Sequence, residues 1–298
     1  MTANNATANS SSGTLRRTQV AQLVAELTAD LGRNSIDLLG YPDVAMRIQR
    51  AMTDETVGAP QLATLVAAEP ILASRLLCMA NSVAFNPRAR SVTDLRSAVA
   101  LVGMDALRCA VVSYAMAQLR ASSELVNIAA PLRTLWQNGV LVGAVCLAVA
   151  RHQGGVDPDV ALLAGLLHNV GKLYILTKAS RYPELLAEQG ALAQLNIDWH
   201  AHFGCVLLTQ WDLPAAVVEA VGEYEYFDDA AAAGDLDLTG MLYLSTVLAE
   251  YRTAPEQLEL LMSSHAALQR LGLTAKECLS ILSESEQHMA SVMELLGM

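Results

Sequence analysis

Two runs decide the fold: Val140-Leu-Val-Gly-Ala-Val-Cys-Leu-Ala-Val-Ala150 and Val160-Ala-Leu-Leu-Ala-Gly-Leu-Leu167, separated by a turn that Gly154, Gly155 and Pro158 mark. Each is apolar on every side of a helix, the pattern of a helix surrounded by other protein or by lipid. The longest uncharged stretch, Thr134–Ala150, has 17 residues between Arg133 and Arg151. That length is at the lower limit for crossing a bilayer. Gln137, Asn138, Gly139 and Gly143 interrupt it, so it reads as a buried core helix and no membrane is expected.

Outward from this centre the helical period persists. Leu15, Val20, Leu23, Val24, Leu27 and Leu31 follow closely the three-and-four spacing of one buried face. Tyr41-Pro42-Asp43 opens a second helix, with a proline suited to the first turn and an acid at the positive end of the helix dipole. Val44, Ile48 and Met52 line its face. A third helix over 60–68 halts at Glu69-Pro70, because the residue before a proline is pushed out of the helical region. Helix resumes over 71–81, and Asn81-Ser82 and Asn86-Pro87 bound a loop. Ser91-Val-Thr-Asp94 precedes a further amphipathic helix that Gly103 breaks. Pro183, Gly190 and Pro214 punctuate the next segments, residues 230–234 form a loop, and helices over 258–271 and 275–296 close the chain. No alternating run is long enough for a strand. The expected fold is all-α, a compact multi-helix array.

The 298 residues are 53% hydrophobic and 16% charged, enough apolar side chain for a large core in one large domain or two ordinary ones. The net charge of −11 is confined to one end: residues 219–298 carry 14 acids and 3 bases, and the rest is balanced. Such an acidic chain repels a phosphate backbone, so nucleic acid is not expected as a partner. Residues 71–120 run against this trend, with Arg75, Arg88, Arg90, Arg96, Arg108 and Arg120 against Asp94 and Asp105. They read either as ordinary surface cations or as a docking patch for an acidic partner, to which the arginine fork is suited. Cys78, Cys109, Cys146, Cys205 and Cys278 sit singly among apolar residues with no zinc spacing, which fits a reducing compartment and a cytoplasmic location. MTANNATANSSSGTLRR has no apolar run ahead of its arginines and so is no secretory signal; residues 1–14 are expected to be a disordered lead. There is no Walker loop, GxGxxG or GxSxG, and no cofactor is expected.

Four segments in order carry a resemblance. They are Glu69-Pro70 leading through a helix to Asn81-Ser82; Ala98, Val99, Leu101 and Gly103 at a helix end; Leu163-Ala-Gly-Leu-Leu-His168-Asn169-Val-Gly171-Lys172-Leu173; and His200-Ala-His-Phe-Gly204 followed by Trp211-Asp-Leu-Pro214. Together, over about residues 31–230, they resemble the HDOD family of bacterial signalling domains, non-catalytic relatives of the HD and HD-GYP metal phosphohydrolases. The resemblance implies two packed helical bundles with a groove between them: an N-terminal subdomain over 15–130 and an HD-like one over 131–298. Physical readings stand beside it. Pro70 and Pro214 are helix boundaries, Asn81 and Ser82 bond nearby backbone, Gly103 and Gly171 permit left-handed turns or close packing, and Trp211 belongs to the core.

Catalytic HD enzymes hold a divalent ion with a His, a His-Asp pair and a later Asp, because hard ions take imidazole and carboxylate ligands. At the matching positions this chain has Asn138, then His168-Asn169, then Gly222-Glu223-Tyr224-Glu225-Tyr226 in place of a His-His pair, and Ser245 and Thr246 where the last Asp belongs. His200 and His202, two apart, point in different directions on one helix. No metal and no catalytic residue are therefore expected, and His168, Asn169, Lys172 and His200 are read as a remnant pocket, open to a small ligand of unknown identity. His168 itself is expected to bond backbone or Asn169. The function implied is a non-enzymatic signal-transduction or scaffold protein that binds protein partners such as response regulators, with Arg88 and Arg90 as docking candidates in the loop. The alternatives are a phosphodiesterase with a degenerate HD site, for which Glu223 or Glu225 would have to substitute, and a nucleic-acid-associated regulator.

Overall fold

The computed structural model describes residues 3–33, 36, 38, 41–82, 85–87, 91–186, 189–227, 236–264, 273–274 and 276–285, with backbone alone for 3–17, 189, 191 and 264. Every regular element among them is helical. In order they are α1 (Ala3–Arg33), α2 (Asp43–Thr53), α3 (Ala59–Ala67), α4 (Pro70–Asn81), α5 (Leu95–Val102), α6 (Met104–Ala121) and a 3-10 segment (Ser123–Ile128). Then come α7 (Ala129–Gln153), α8 (Pro158–Leu167), α9 (Val170–Ala179), α10 (Pro183–Leu186), α11 (Gln189–Gln210), α12 (Ala215–Glu223), a second 3-10 turn (Tyr224–Tyr226), α13 (Leu238–Tyr251) and α14 (Pro255–Ser264), with a last helical stretch at 276–285.

Local chemistry sets most boundaries. Pro70 starts α4, Asp94 caps α5 by accepting from the Ser97 N–H at 2.8 Å, and Asp157 caps α8 through Asp159 and Val160. Gly103, at φ 85°, ends α5 and begins α6 in one residue. Asn81 secures the loop that follows α4: its amide donates to Leu77 O and Val92 O, both at 2.8 Å, and its carbonyl accepts from Val92 N at 2.9 Å. It thereby ties the two ends of the loop together.

Two apolar cores share one wall. The smaller gathers Ile48, Leu62, Val66, Leu72, Leu76, Val99 and Val102 from α2–α5; the larger gathers α7–α13. Helix α6 lies between them. Ala106, Leu107, Ala110, Val111 and Tyr114 face the small core, while Cys109, Val112, Met116 and Leu119 face the large one. The expected boundary at 130/131 thus falls differently. The partition runs along α6, and α1 does not join the N-terminal bundle: Leu23 and Leu27 belong to the large core. Its helical backbone also starts at Ala3, within the stretch read as a disordered lead. Alanines there favour helix, and no proline interrupts before Pro42.

The two runs quoted at the outset are the middle of α7 and almost all of α8. By length and apolarity Ser123–Gln153 and Pro158–Ala179 are each able to cross a membrane, yet 72% and 83% of their apolar windows are buried within the protein. Their contact is backbone to backbone: a Cβ on Gly165 would lie 2.5 Å from Gly143 Cα, and one on Gly139 2.9 Å from Leu166 O. α9 crosses α11 in the same way at Gly171 and Gly204. The Trp211-Asp-Leu-Pro214 turn joins the bundles. Trp211 stacks on Tyr41 at 4.2 Å between centroids, and buried Arg108 donates to Asp212 O at 3.3 Å.

Candidate functional site

The residues at the matched ligand positions come together. Asn138 on α7, His168 and Asn169 at the α8–α9 junction, Lys172 on α9, Tyr224 and Glu225 in the second 3-10 turn, and Thr246 on α13 all line one cavity of about 550 Å³. Tyr243, Glu250 and Arg252 complete its wall. His200 lies beneath it, 1% exposed.

His168 is anchored by Gly165 O, 2.6 Å from Nδ1, so Nδ1 carries the proton and donates. Its Nε2 lies 3.2 Å from the Asn138 side-chain amide, which also bonds the Asn169 amide at 2.7 Å. The expected backbone bond is the one to Gly165 O; the second neighbour is Asn138, 30 residues earlier, rather than Asn169, because the α7–α8 crossing brings it over the ring. Burial pushes the imidazole down to about 4, so the ring is neutral at ordinary pH. Asn138 Oδ1 is the atom shared by the two: it faces Nε2 and accepts from Asn169 Nδ2. Tyr224 packs edge-on against the ring at 5.8 Å.

The second half of the site is organised by Glu225. His200 Nε2 donates to Oε2 at 2.8 Å, Lys172 reaches Oε1 at 3.2 Å, and the Tyr224 hydroxyl donates to Oε1 at 2.9 Å. The His200 bond and then the Lys172 ammonium hold this carboxyl down to about 2, against the opposing effect of burial. Burial pushes the Tyr224 phenol up.

A divalent ion needs convergent lone pairs that are free to bind it. Here the converging groups are two amides, one imidazole, a phenol and an ammonium. Of the two carboxylates on the wall, Glu225 has both oxygens engaged by its neighbours. The neutral Asn169 supplies no bridging charge, and Lys172 places a positive one at the site. The residues present do not fit a divalent metal. His202, two residues beyond His200 on α11, faces elsewhere. It lines a groove of about 950 Å³ with Thr53 of α2, Asp198, Cys205, Asp212, Glu219, Glu223 and Tyr226. That groove lies where the bundles meet.

The other quoted residues have structural positions. Glu69 accepts from the Tyr114 hydroxyl at 2.5 Å, and Ser82 bonds Met79 O at 2.8 Å. Pro214 precedes α12, and Gly204 packs beside Val221. Arg88 and Arg90 lie outside the described residues. One buried polar node was missed. Asp30 of α1 accepts from the Tyr174 hydroxyl at 2.5 Å and pairs with Lys178 at 2.7 Å and with Arg33. Beside it, Tyr182 donates to Glu26 at 2.7 Å. The signal was present, since Asp30 falls three residues after Leu27 on the apolar stripe.

The sequence profile of the HDOD domain family matches residues 38–226. An uncharacterized protein of Treponema pallidum is 26% identical over 223 residues, 69% of this chain, and the chain spans 41% of that relative's length. The fold is similar to that of an HDOD domain protein of unknown function from Geobacter sulfurreducens, at 21% identity and a TM-score of 0.60 over 94% of this chain and 98% of that one. It is also similar to a protein of Shewanella amazonensis SB2B described as a candidate metal-dependent phosphohydrolase, at 23% identity and a TM-score of 0.69 over 92% of this chain and 99% of that one.

Proposed function

The chain belongs to the HDOD domain family, which is related to the HD phosphohydrolases, and on that premise we propose that it is a non-catalytic signalling module acting through protein partners. One observation carries the reading. At the former ligand positions Glu225 has both oxygens engaged by His200, Lys172 and Tyr224, and Asn138 lies against His168 and accepts from the neutral Asn169, which leaves no convergent charged set to hold an ion. What remains is a rigid polar plug inside the larger bundle, and outside it a groove where both bundles meet. A partner seated in that groove would touch α2, α11 and α12 at once and would sense the relative placement of the two bundles. Because Asp198, Asp212, Glu219 and Glu223 line it, such a partner presents cationic side chains. The proposed setting is the bacterial cytoplasm.

The test combines chemistry with genetics. The purified protein is analysed for iron, manganese and zinc and assayed on bis-p-nitrophenyl phosphate and cyclic dinucleotides. Complementation of a deletion strain then compares His168→Ala with Glu219→Lys/Glu223→Lys, protein level being followed by blot. The expected result is no stoichiometric metal, no turnover, full complementation by His168→Ala and loss with the charge reversal. One equivalent of metal with turnover, or a folded His168→Ala protein that fails while the reversal complements, refutes the reading.

A further inference from the structure

We propose that Arg75, Arg120 and Arg133, which meet beside the junction of the two bundles, form a binding site for a phosphate monoester. They come from three different helices, α4, α6 and α7. The Arg120 guanidinium lies over the buried Trp136 ring, 5.9 Å from its centroid. Trp136 stands three residues after Arg133 and so on the same side of α7. Arg75 lies beside Tyr114 of α6 and, with Arg133, close enough to oppose the charge on Arg120. Three cations from separate elements have thus been brought together in a chain whose net charge is −11.

None of the three takes part in an ion pair within 4.0 Å among the described residues. The carboxylate that shares Tyr114 with Arg75 is Glu69, and it is engaged by the Tyr114 hydroxyl. Arg75 Nη1 and Arg120 Nε are buried N–H donors with no acceptor. Buried donors on a cation are costly when left unpaired, so an anion that accepts from both would relieve that cost.

The geometry favours phosphate over carboxylate. A carboxylate brings one charge and two oxygens, which two guanidinium forks exhaust. A phosphate monoester brings a charge of about −1.5 to −2 and three oxygens, enough for three forks. The inference does not rest on the proposed signalling role, because none of these residues lines the His168 cavity or the acidic groove.

The test is titration calorimetry of the full chain with inorganic phosphate at fixed ionic strength, with acetate as the control. Saturable phosphate binding is expected, and Arg133→Gln should weaken it roughly tenfold or more while leaving the phosphate-free melting temperature unchanged, since Arg133 is exposed. Arg120→Gln should do the same; if that protein fails to fold, Arg133→Gln decides alone. Adenosine monophosphate and a phosphoserine peptide, titrated separately, distinguish a small phosphorylated molecule from a phosphorylated protein as the source. Absence of phosphate binding by the folded wild type, equal binding by Arg133→Gln, or acetate binding as tightly as phosphate overturns the proposal.

Discussion

Replacing Gly171 by alanine tests the helix crossing on which the candidate site is built. A Cβ at this position would lie 1.8 Å from His200 O, 2.7 Å from His200 C and 2.9 Å from Gly204 N. All three are backbone atoms, so no side chain can swing away to make room. Relief to ordinary van der Waals contact, 3.4 Å or more, needs α9 and α11 to part by more than an ångström in a close-packed interior. Overpacking of this kind costs about 1–3 kcal/mol. The same shift pulls His200 from Glu225, now 2.8 Å apart, and a buried group that loses its partner costs about 1–3 kcal/mol more. The sum, roughly 2–6 kcal/mol, is a large part of the 5–15 kcal/mol typical of a folded domain. It should lower the melting temperature by about 5–20 °C. Gly190→Ala, in α11 with open space around it, is the matched control and should be neutral or stabilising by up to ~1 kcal/mol. Both are read by circular dichroism melts. Gly171→Ala melting within a degree or two of wild type would show that the crossing yields freely and that the close approach carries no weight.

Leu166→Asp, in which a residue 3% exposed in α8 becomes a charge with no partner, should abolish soluble expression; normal yield with an unchanged melt would place α8 outside the core. Asp30→Ala strands Lys178 and the Tyr174 hydroxyl and should cost about 3 kcal/mol, with limited trypsin digestion cutting around α1 before the rest of the chain; a wild-type digestion pattern counts against the anchor. Acid should destabilise the fold in two windows. Folded His168 binds its proton only near pH 4, against 6.5 for the free imidazole, so the unfolded chain holds the extra proton between these values. Its stabilisation is complete above pH 6.5 and lost as pH falls to 4. Glu225, held at about 2 against 4.5, contributes fully above pH 4.5 and is lost toward 2. Urea midpoints measured against pH should lose the upper window in His168→Asn and the lower one in Glu225→Gln; unchanged profiles would contradict the assignments.

What was readable and what was not divide along a physical line. α7 and α8 were legible because a run with no polar side must be covered all round, and Gln137, Asn138, Gly139 and Gly143 favour protein over lipid as the cover. The helix start after Ser91-Val-Thr-Asp94, the turn at Gly154, Gly155 and Pro158 and the break at Gly103 involve neighbouring residues, so local pattern sufficed. The allegiance of α1 was not legible: an apolar stripe at Leu23 and Leu27 says that a face is buried, not against which core. The convergence of Asn138, His168, Asn169, Tyr224 and Thr246 was anticipated from the resemblance alone, since no spacing along the chain places residues so far apart on one wall. The central position of Glu225 escaped because its partners, Lys172, His200 and Tyr224, come from α9, α11 and a 3-10 turn. A carboxylate's value depends on who surrounds it, and that is decided by the packing of helices far apart in sequence.

The two-sided character of α6 has a consequence for how this protein can change over generations. Inserting or deleting one residue in a helix turns everything beyond it by about 100°. In a surface helix the polar side absorbs much of that rotation. In α6 it would swing Val112, Met116 and Leu119 out of one core and Val111 and Tyr114 out of the other in the same event. The length of this helix should therefore be fixed among functional descendants, whereas surface loops away from the seam remain free to grow and shrink.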